Sequence, residues 1–232
     1  IRYLDEGRGE PLILLHGNAN RIESWNGSAV LAALGKQYRV IRFDARGHGE
    51  SGKPHDPKAY GVEMGLDAVR LMDHLGINKF MVLGFCIGGP FIWNLLKRAP
   101  NRVVAAVLAQ PSGSRPEARD LFYDNNMTGW GPELVKRRPD VTMDTVQKFL
   151  TKMYRNNPDF VFTVSRDFVR QCQTPVLILP DDIPAHPYAV AMEAAMLAPK
   201  AEVSMFPWKE PKERIPLAVR QIRSFLRAHK PA

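Results

Sequence analysis

Short, largely apolar runs alternate along this chain with longer segments in which apolar residues recur every three or four positions. The short runs are typical of strands buried on both faces of a sheet. They cover 11–15, 38–43, 79–84, 103–108, 174–179 and 201–206. The longer segments predict amphipathic helices. They cover 25–34, 62–75, 188–197 and 215–227, with a further helix-like segment at 91–96. This alternation predicts an α/β fold, a mostly parallel central sheet with helices on both faces.

Two segments depart from the alternation. At the start, residues 2–5 predict a short edge strand, and Glu6-Gly7-Arg8-Gly9 predicts a hairpin turn into the next strand. From 111 to 170 no strand-like run occurs, and short helices rich in aromatic residues and methionine are predicted instead. An insertion of this kind predicts a small helical lid whose apolar underside forms one wall of a substrate pocket. We therefore predict a core of residues 1–110 and 171–232, and a lid of residues 111–170.

Reactive side chains follow three of the predicted strands directly: His16, Asp44 and Cys86. The carboxyl ends of parallel strands meet at one edge of a sheet, where functional loops gather. Cys86 is the centre of Gly84-Phe85-Cys86-Ile87-Gly88, a G-x-nucleophile-x-G pattern with cysteine in place of serine. Glycines on either side let a sharp strand-to-helix turn close, and the helix N-terminus favours a thiolate. The alternative is an ordinary turn with Cys86 as a small buried apolar residue.

Charge and cysteine content narrow the function classes. The net charge is +8, but the basic residues are dispersed and no nucleic-acid-binding motif accompanies them, so no nucleic-acid partner is expected. No apolar run approaches the roughly 20 residues of a membrane span, so no membrane partner is expected either. Two cysteines in 232 residues do not make a disulfide framework, which favours a reducing, cytoplasmic compartment. Because the chain begins at Ile1 without methionine, the lack of a leader weighs little here.

Several motifs in order resemble the α/β-hydrolase fold superfamily, in its lidded branch of enol-lactonases, esterases, haloperoxidase-like enzymes and meta-cleavage-product hydrolases. They are His16-Gly17-Asn18, Asp44-x-Arg46-Gly47-x-Gly49-x-Ser51, the Cys86 turn, the helical insertion, and an acidic loop after the penultimate strand. The Cys86 turn is also similar to that of dienelactone hydrolases, which use a cysteine nucleophile. The resemblance spans nearly the whole chain.

The resemblance implies roles for the matching residues. Cys86 would be the nucleophile, and the backbone N–H groups of Asn18 and Ile87 would form an oxyanion hole. The acidic residue would come from the loop after 174–179. Asp182 is preferred because the acid in this family lies shortly before a proline-containing segment, and Asp181 stays open. His16 and His48 are expected to be structural.

The histidine of the family pattern is missing from its usual place. In relatives it follows the last strand, but residues 205–211 here read Met-Phe-Pro-Trp-Lys-Glu-Pro. His186 lies on the same predicted loop as Asp182, and imidazole and thiol pair readily as an ion pair. We therefore predict that His186 is a relocated general base, oriented by Asp182 or Asp181. The alternative is that His186 only caps or packs the following helix.

The leading hypothesis is a cofactor-independent hydrolase, without a metal, acting on a small carboxylic ester, lactone or thioester through a Cys86 acyl-enzyme. One rival is a catalytically impaired protein of the same fold that keeps its pocket as a ligand-binding site. Another is a hydrolase of carbon–carbon bonds on the same scaffold. The substrate's identity and the oligomeric state, including a homodimer, stay open.

Overall fold

The computed structural model describes residues 1–156, 160–205 and 210–231. Its centre is a seven-stranded sheet in the order β1-β3-β2-β4-β5-β6-β7. The strands are β1 (Tyr3–Glu6), β2 (Glu10–Leu15), β3 (Tyr38–Phe43), β4 (Phe80–Phe85), β5 (Val103–Ala109), β6 (Val176–Leu179) and β7 (Ala201–Val203). All neighbouring strands are parallel except β1, which is antiparallel to β3. The predicted mostly parallel sheet is confirmed. Part of the predicted last strand, Phe206, lies outside the described residues.

Helices connect the strands and cover both faces of the sheet. The α-helices are α1 (Ala29–Leu34), α2 (Val62–His74), α3 (Gly88–Arg98), α4 (Leu121–Asn125), α5 (Gly131–Arg137), α6 (Met143–Leu150), α7 (Arg166–Gln171), α8 (Tyr188–Leu197) and α9 (Ile215–Ala228). Short 3₁₀ turns lie at Ile22–Trp25, Pro57–Ala59, Pro116–Ala118 and Lys212–Arg214, and π-helical turns at Asn126–Trp130 and Thr151–Arg155. None of the helices within the described ranges is long and apolar enough to cross a bilayer.

Two apolar clusters form the core, one on each face of the sheet. Successive side chains of a strand point to opposite faces, so Leu12 and Leu14 pack with α1 and α9, while Ile13 and Leu15 pack with α2, α3 and α8. Strands buried on both sides must be apolar throughout, which explains the continuous runs in the sequence.

The predicted hairpin at Glu6–Gly9 is wrong. Both edges of β2 are taken by β3 and β4, so β1 pairs with the free edge of β3 instead. The connecting loop must pass close over the start of β3. A Cβ on Gly7 would lie 2.6 Å from the Tyr38 carbonyl oxygen, and one on Gly9 would lie 2.7 Å from that of Gln37. Glycine is needed at both positions because the loop passes this close to the backbone of residues 37 and 38, and not because the loop forms a hairpin turn.

Between β5 and β6 the described residues contain helices and turns but no strand, as expected for residues 111–170, here called the helical insertion. Most of its buried apolar side chains form a third cluster together with Cys86 and Ile87, while those near its end, Phe160, Val161 and Val164, belong to a cluster on one face of the sheet. Phe122, Tyr154 and Phe162 form the centre of that cluster, with the first two rings stacked at 5.5 Å. The insertion therefore packs directly on the turn after β4.

Candidate active site

Cys86 occupies a tight turn between the end of β4 and the start of α3. Its φ is +57°, a left-handed conformation that costs energy for a residue other than glycine. Its N–H donates to the carbonyl oxygen of Ala109 (3.1 Å), and its own carbonyl accepts from the N–H of Ser112 (3.1 Å). A Cβ on Gly84 would lie 2.8 Å from the backbone of Gly88. The turn thus needs glycine at position 84, while a Cβ on Gly88 would make a tight contact with the Leu15 carbonyl oxygen, at 3.1 Å.

The Cys86 thiol is surrounded by groups that stabilise its ionised form. Burial by itself would raise its pKa, but His186, the Ser112 hydroxyl and the backbone N–H of Asn18 outweigh that effect, and the pKa lies below the ordinary value for cysteine. The Ser112 Oγ is 3.2 Å from Sγ, and Ser112 is fully buried. Ser112 was not predicted from the sequence. It follows β5 at the same edge of the sheet, and that position could have drawn attention to it.

His186 is fixed on the loop between β6 and α8. Its backbone N–H donates to the Ile183 carbonyl oxygen across a turn (2.9 Å). Its imidazole ring meets the Phe85 ring edge-on, with 5.7 Å between the ring centroids. The Nδ1 atom lies 3.0 Å from Asp181 Oδ2. Because a carboxylate only accepts, Nδ1 carries the proton, and Nε2 is the nitrogen left for Cys86.

The thiol and the imidazole form a coupled pair. Burial lowers the pKa of His186, but Cys86 and Asp181 together raise it above the ordinary value. Among the described residues, the buried Nε2 has no hydrogen-bond partner of acceptable distance and angle. The thiol and the imidazole are thus close enough to shift each other's pKa, although Nε2 and Sγ do not reach full hydrogen-bond geometry in this conformation.

Asp181, and not the preferred Asp182, is the carboxylate beside His186. Its Oδ2 also accepts from Gln110 Nε2 (2.9 Å), and its Oδ1 accepts from the N–H of Asp182 (2.9 Å). The side chain of Asp182 is exposed. Asp181 is nearer to β6 and so within reach of Gln110 at the end of the neighbouring β5, whereas Asp182 lies one residue further into the loop. The family spacing could not resolve a shift of one residue.

The loop after β2 brings Asn18 to the sulfur. His16 Nε2 accepts from the N–H of Ala45 (3.0 Å), and Nδ1 donates to the Gly17 carbonyl (2.8 Å). This pattern fits a neutral ring, and burial lowers the pKa of His16 accordingly. A Cβ on Gly17 would lie 3.4 Å from that of Cys86. The backbone N–H of Asn18 thus lies close to the Cys86 sulfur, and Ile87, the other predicted oxyanion position, is the next residue after Cys86 in the chain.

Asp44 is a buried anchor for the loop after β3. Its Oδ1 accepts from the N–H of Ile22 (2.7 Å) and its Oδ2 from that of Glu50 (2.9 Å). Burial would raise its pKa, but these bonds and the guanidinium of Arg2 bring it below the ordinary value. Gly49 has a φ of +47°, and a Cβ there would lie 2.1 Å from Asp44 Oδ2. The contacts of Asp44 are those of a loop anchor.

A cleft of about 350 Å³ opens beside this cluster, between the loop around residues 53–60 and helices α5 and α6. Its lining includes Asn18 and, from the helical insertion, Asn126. The lining does not include Cys86 or His186, and Asn18, whose backbone N–H lies close to the Cys86 sulfur, is the residue that the cleft and the candidate site share. The Asn18 side chain donates to Asn126 Oδ1 (3.4 Å) and accepts from the Tyr154 hydroxyl (3.5 Å).

Known proteins similar to this chain share its fold and differ in their named activities. The non-heme haloperoxidase of Rhodococcus erythropolis is 28% identical over 89% of this chain and 87% of its own length. The 2-hydroxymuconate semialdehyde hydrolase of Pseudomonas sp. (strain CF600) is 35% identical over 58% of this chain and 47% of its own length. The chain spans less than half the length of several curated relatives that it matches. The enol-lactonase of Burkholderia xenovorans LB400 superposes with a TM-score of 0.71 at 22% identity, covering 97% of this chain and 96% of that one.

A family model described as the alpha/beta hydrolase fold matches residues 10–155, more than half of the chain. The matched region contains Asn18, Asp44 and Cys86, while Asp181 and His186 lie beyond it. Together with the strand order and the turn at Cys86, the match shows that this chain belongs to the α/β-hydrolase fold family.

Proposed function

We propose that this protein is a cofactor-independent hydrolase of a small carboxylic ester, lactone or thioester, with Cys86 as the nucleophile. The observation that carries the proposal is one arrangement: a cysteine held at φ +57° after β4, with His186 beside its thiol and Asp181 3.0 Å behind the imidazole. A nucleophile, a base and a group that orients the base are what acyl transfer requires.

Acylation would begin from the ion pair of Cys86 and His186. The thiolate attacks the carbonyl carbon and forms a C–S bond, and the oxygen that becomes negative is met by the N–H groups of Asn18 and Ile87. The imidazolium of His186 then gives its Nε2 proton to the leaving oxygen or sulfur as that bond breaks. A thioester joins the acyl group to Cys86.

Deacylation would reverse the roles of His186. Neutral Nε2 takes a proton from water, the hydroxide attacks the thioester carbonyl, and the C–S bond breaks to release the acid and restore the thiolate. Asp181 keeps the proton on Nδ1 throughout and stabilises the imidazolium, while Gln110 holds Asp181 in place. Ser112 would steady the thiolate by donating its hydroxyl hydrogen.

The helical insertion would act as a lid over this centre. Support comes from the cluster in which Phe122, Tyr154 and Phe162 pack with Cys86 and Ile87. Such a cover gives the substrate an apolar wall and strengthens the charge interactions around the thiolate and the oxyanion by limiting contact with bulk water.

The proposal is tested by mixing the protein with 4-nitrophenyl butyrate and measuring intact mass and product release. We expect a transient butyryl group that peptide mapping places on Cys86, and turnover lost on the order of 1000-fold or more in Cys86→Ala. Cys172→Ala is the matched control and should retain both. A stable adduct on Cys86 without turnover would mean that the thiol is activated but that deacylation lacks its base. An adduct elsewhere would reject Cys86 as the nucleophile, and no adduct with no product release would favour the ligand-binding protein.

A pair of neighbouring substitutions separates the roles of the two aspartates. Asp181→Asn should lower turnover by at least about tenfold, because the amide no longer holds the proton on Nδ1. Asp182→Asn should leave turnover unchanged, since that side chain is exposed. The reverse result would return the acidic role to Asp182.

A further inference from the structure

The cleft beside the candidate site has apolar aromatic walls. Trp130, Leu134, Val146, Phe149 and Leu150 line it. The ring of Phe149 meets those of Tyr60 and Trp130 at 4.7 and 6.0 Å between centroids. Interlocked rings of this kind form a wall before any ligand arrives, and the volume of about 350 Å³ suits a small organic molecule.

The charged side chains that line the cleft all have the same sign. They are Lys53, Arg137 and Arg138, and none of the described lining residues is Asp or Glu. Two histidines also line it. His48 is held neutral by burial and by the neighbouring His16, which lower its pKa to about 4. A ligand in this cleft therefore meets apolar walls and side chains whose only charge is positive.

Only one of the three cations is neutralised by a carboxylate of its own. Arg138 makes two bonds to Asp140, at 2.8 and 2.6 Å. Lys53 Nζ donates to the carbonyl oxygens of Gly49 and Ser51, at 2.5 and 3.1 Å. Neither Lys53 nor Arg137 forms an ion pair within 4 Å among the described residues; Glu133, whose pKa Arg137 helps to lower, is ion-paired with Lys136 at 2.7 Å.

We propose that the cleft binds the distal part of an acyl substrate that carries its own carboxylate. The apolar body of such a substrate would lie against Trp130 and Phe149, and its carboxylate would face Lys53 and Arg137. Asn18 lines the cleft, and its backbone N–H lies close to the Cys86 sulfur. One molecule could therefore place its ester carbonyl at Cys86 and its charged end in the cleft. This inference rests on the proposed function and specifies its substrate class: half-esters of dicarboxylic acids and lactones that bear a carboxylate.

The test compares two esters with one leaving group, mono-4-nitrophenyl adipate and neutral 4-nitrophenyl hexanoate. The wild-type protein should show a KM about tenfold lower for the half-ester, and 0.5 M salt should reduce that preference because the cations are partly exposed. Lys53→Gln and Arg137→Gln should each raise the KM of the half-ester about three- to tenfold, with a smaller change for the neutral ester and kcat retained. The double variant should lose the preference.

Lys36→Gln is the matched control. Lys36 is exposed and precedes β3, at the end of the sheet opposite the cleft, so its replacement should leave the preference intact. Equal KM values for the two esters in the wild type, or an unchanged preference in the double variant, would overturn the proposal.

A binding measurement keeps the inference separate from the proposed function. Cys86→Ala protein is titrated calorimetrically with the adipate dianion and with neutral dimethyl adipate. Binding of the dianion alone, lost in the Lys53 and Arg137 double variant, supports the charged cleft even if neither ester is hydrolysed. Equal or undetectable binding of both compounds overturns it, whatever the esterase assay shows.

Discussion

Cys86 and Cys172 are buried to a similar extent, with 9% and 7% of their surface exposed. They differ in the groups that surround the sulfur. Burial raises the pKa of Cys172, because the hydrogen bonds that it makes with Thr174 do not outweigh the loss of water. At Cys86 the imidazole, a hydroxyl and a backbone N–H reverse that outcome. Local hydrogen bonds and charge, and not burial, distinguish Cys86, a candidate nucleophile, from Cys172, a buried thiol that packs as an apolar side chain.

The pH dependence of alkylation should separate the two thiols. The thiolate fraction grows as pH rises through the thiol pKa, so iodoacetamide should modify Cys86 with a midpoint below the ordinary value of about 8.5. His186→Ala should move that midpoint upward, because the imidazole is the main group that lowers the pKa of Cys86 against the effect of burial.

The rate of ester hydrolysis should rise with the thiolate fraction and fall again at higher pH. The fall is expected above the raised pKa of His186, where the imidazolium that protonates the leaving group loses its proton. Peptide mapping across pH reads both cysteines, and a shared midpoint would contradict the coupled pair.

The sequence identifies those site residues that lie at strand ends and belong to a recognisable motif. Cys86 and Asn18 follow from the family pattern. His186 follows from its place on a loop after a parallel strand, because the histidine of the family pattern is missing. The structure brings the three together. Ser112 and Gln110 lack a motif, because their part depends on β5 lying beside β4 and β6. The choice between Asp181 and Asp182 depends on backbone direction over one residue, which periodicity does not encode.

At the scale of elements, the period of the apolar residues predicted the strands and most helices because packing on two faces imposes it. Which strands pair with each other cannot be predicted from local sequence in the same way. The β1–β3 pair forms because β2 lies between β3 and β4, and this order is a property of the whole sheet that the first ten residues do not contain. The predicted helix over 25–34 begins only at Ala29, for a local reason: Asn26 is extended after the 3₁₀ turn, Gly27 has a φ of +73°, and the Ser28 side chain caps α1.

The loop after β3 offers a test at this scale. Gly49→Ala should destabilise the protein by about 1–3 kcal/mol, because the new Cβ meets the buried Asp44 carboxylate and a left-handed φ is strained. Gly52→Ala, in the same loop with open space around its Cα, should change stability by less than about 0.5 kcal/mol. Urea unfolding measures both. Equal midpoints would mean that the loop moves freely enough to relieve the clash.

For the whole molecule, the apolar clusters have separate tasks. Two hold helices to the faces of the sheet, and the third joins the helical insertion to the turn at Cys86. Mutations in the third cluster should therefore change access to the Cys86 thiol, whereas mutations in the other two clusters should mainly change the stability of the fold. The third cluster depends on Phe122, whose ring stacks on Tyr154 and meets Phe162 edge-on at 5.7 Å.

Phe122→Ala should expose Cys86 while leaving the two sheet clusters intact. Removing the ring costs about 3–5 kcal/mol of packing where a core side chain is lost, and here that loss falls on the insertion. Iodoacetamide should then modify Cys86 faster at fixed pH. Ester turnover should fall because the substrate loses an apolar wall and bulk water weakens the charge interactions around the thiolate. Phe122→Leu, which keeps apolar volume at this position, should alter both rates far less. Far-UV circular dichroism would report whether the sheet is retained. If Phe122→Ala changes neither rate while the sheet persists, the insertion does not control access to Cys86, and the proposed lid would have to be abandoned.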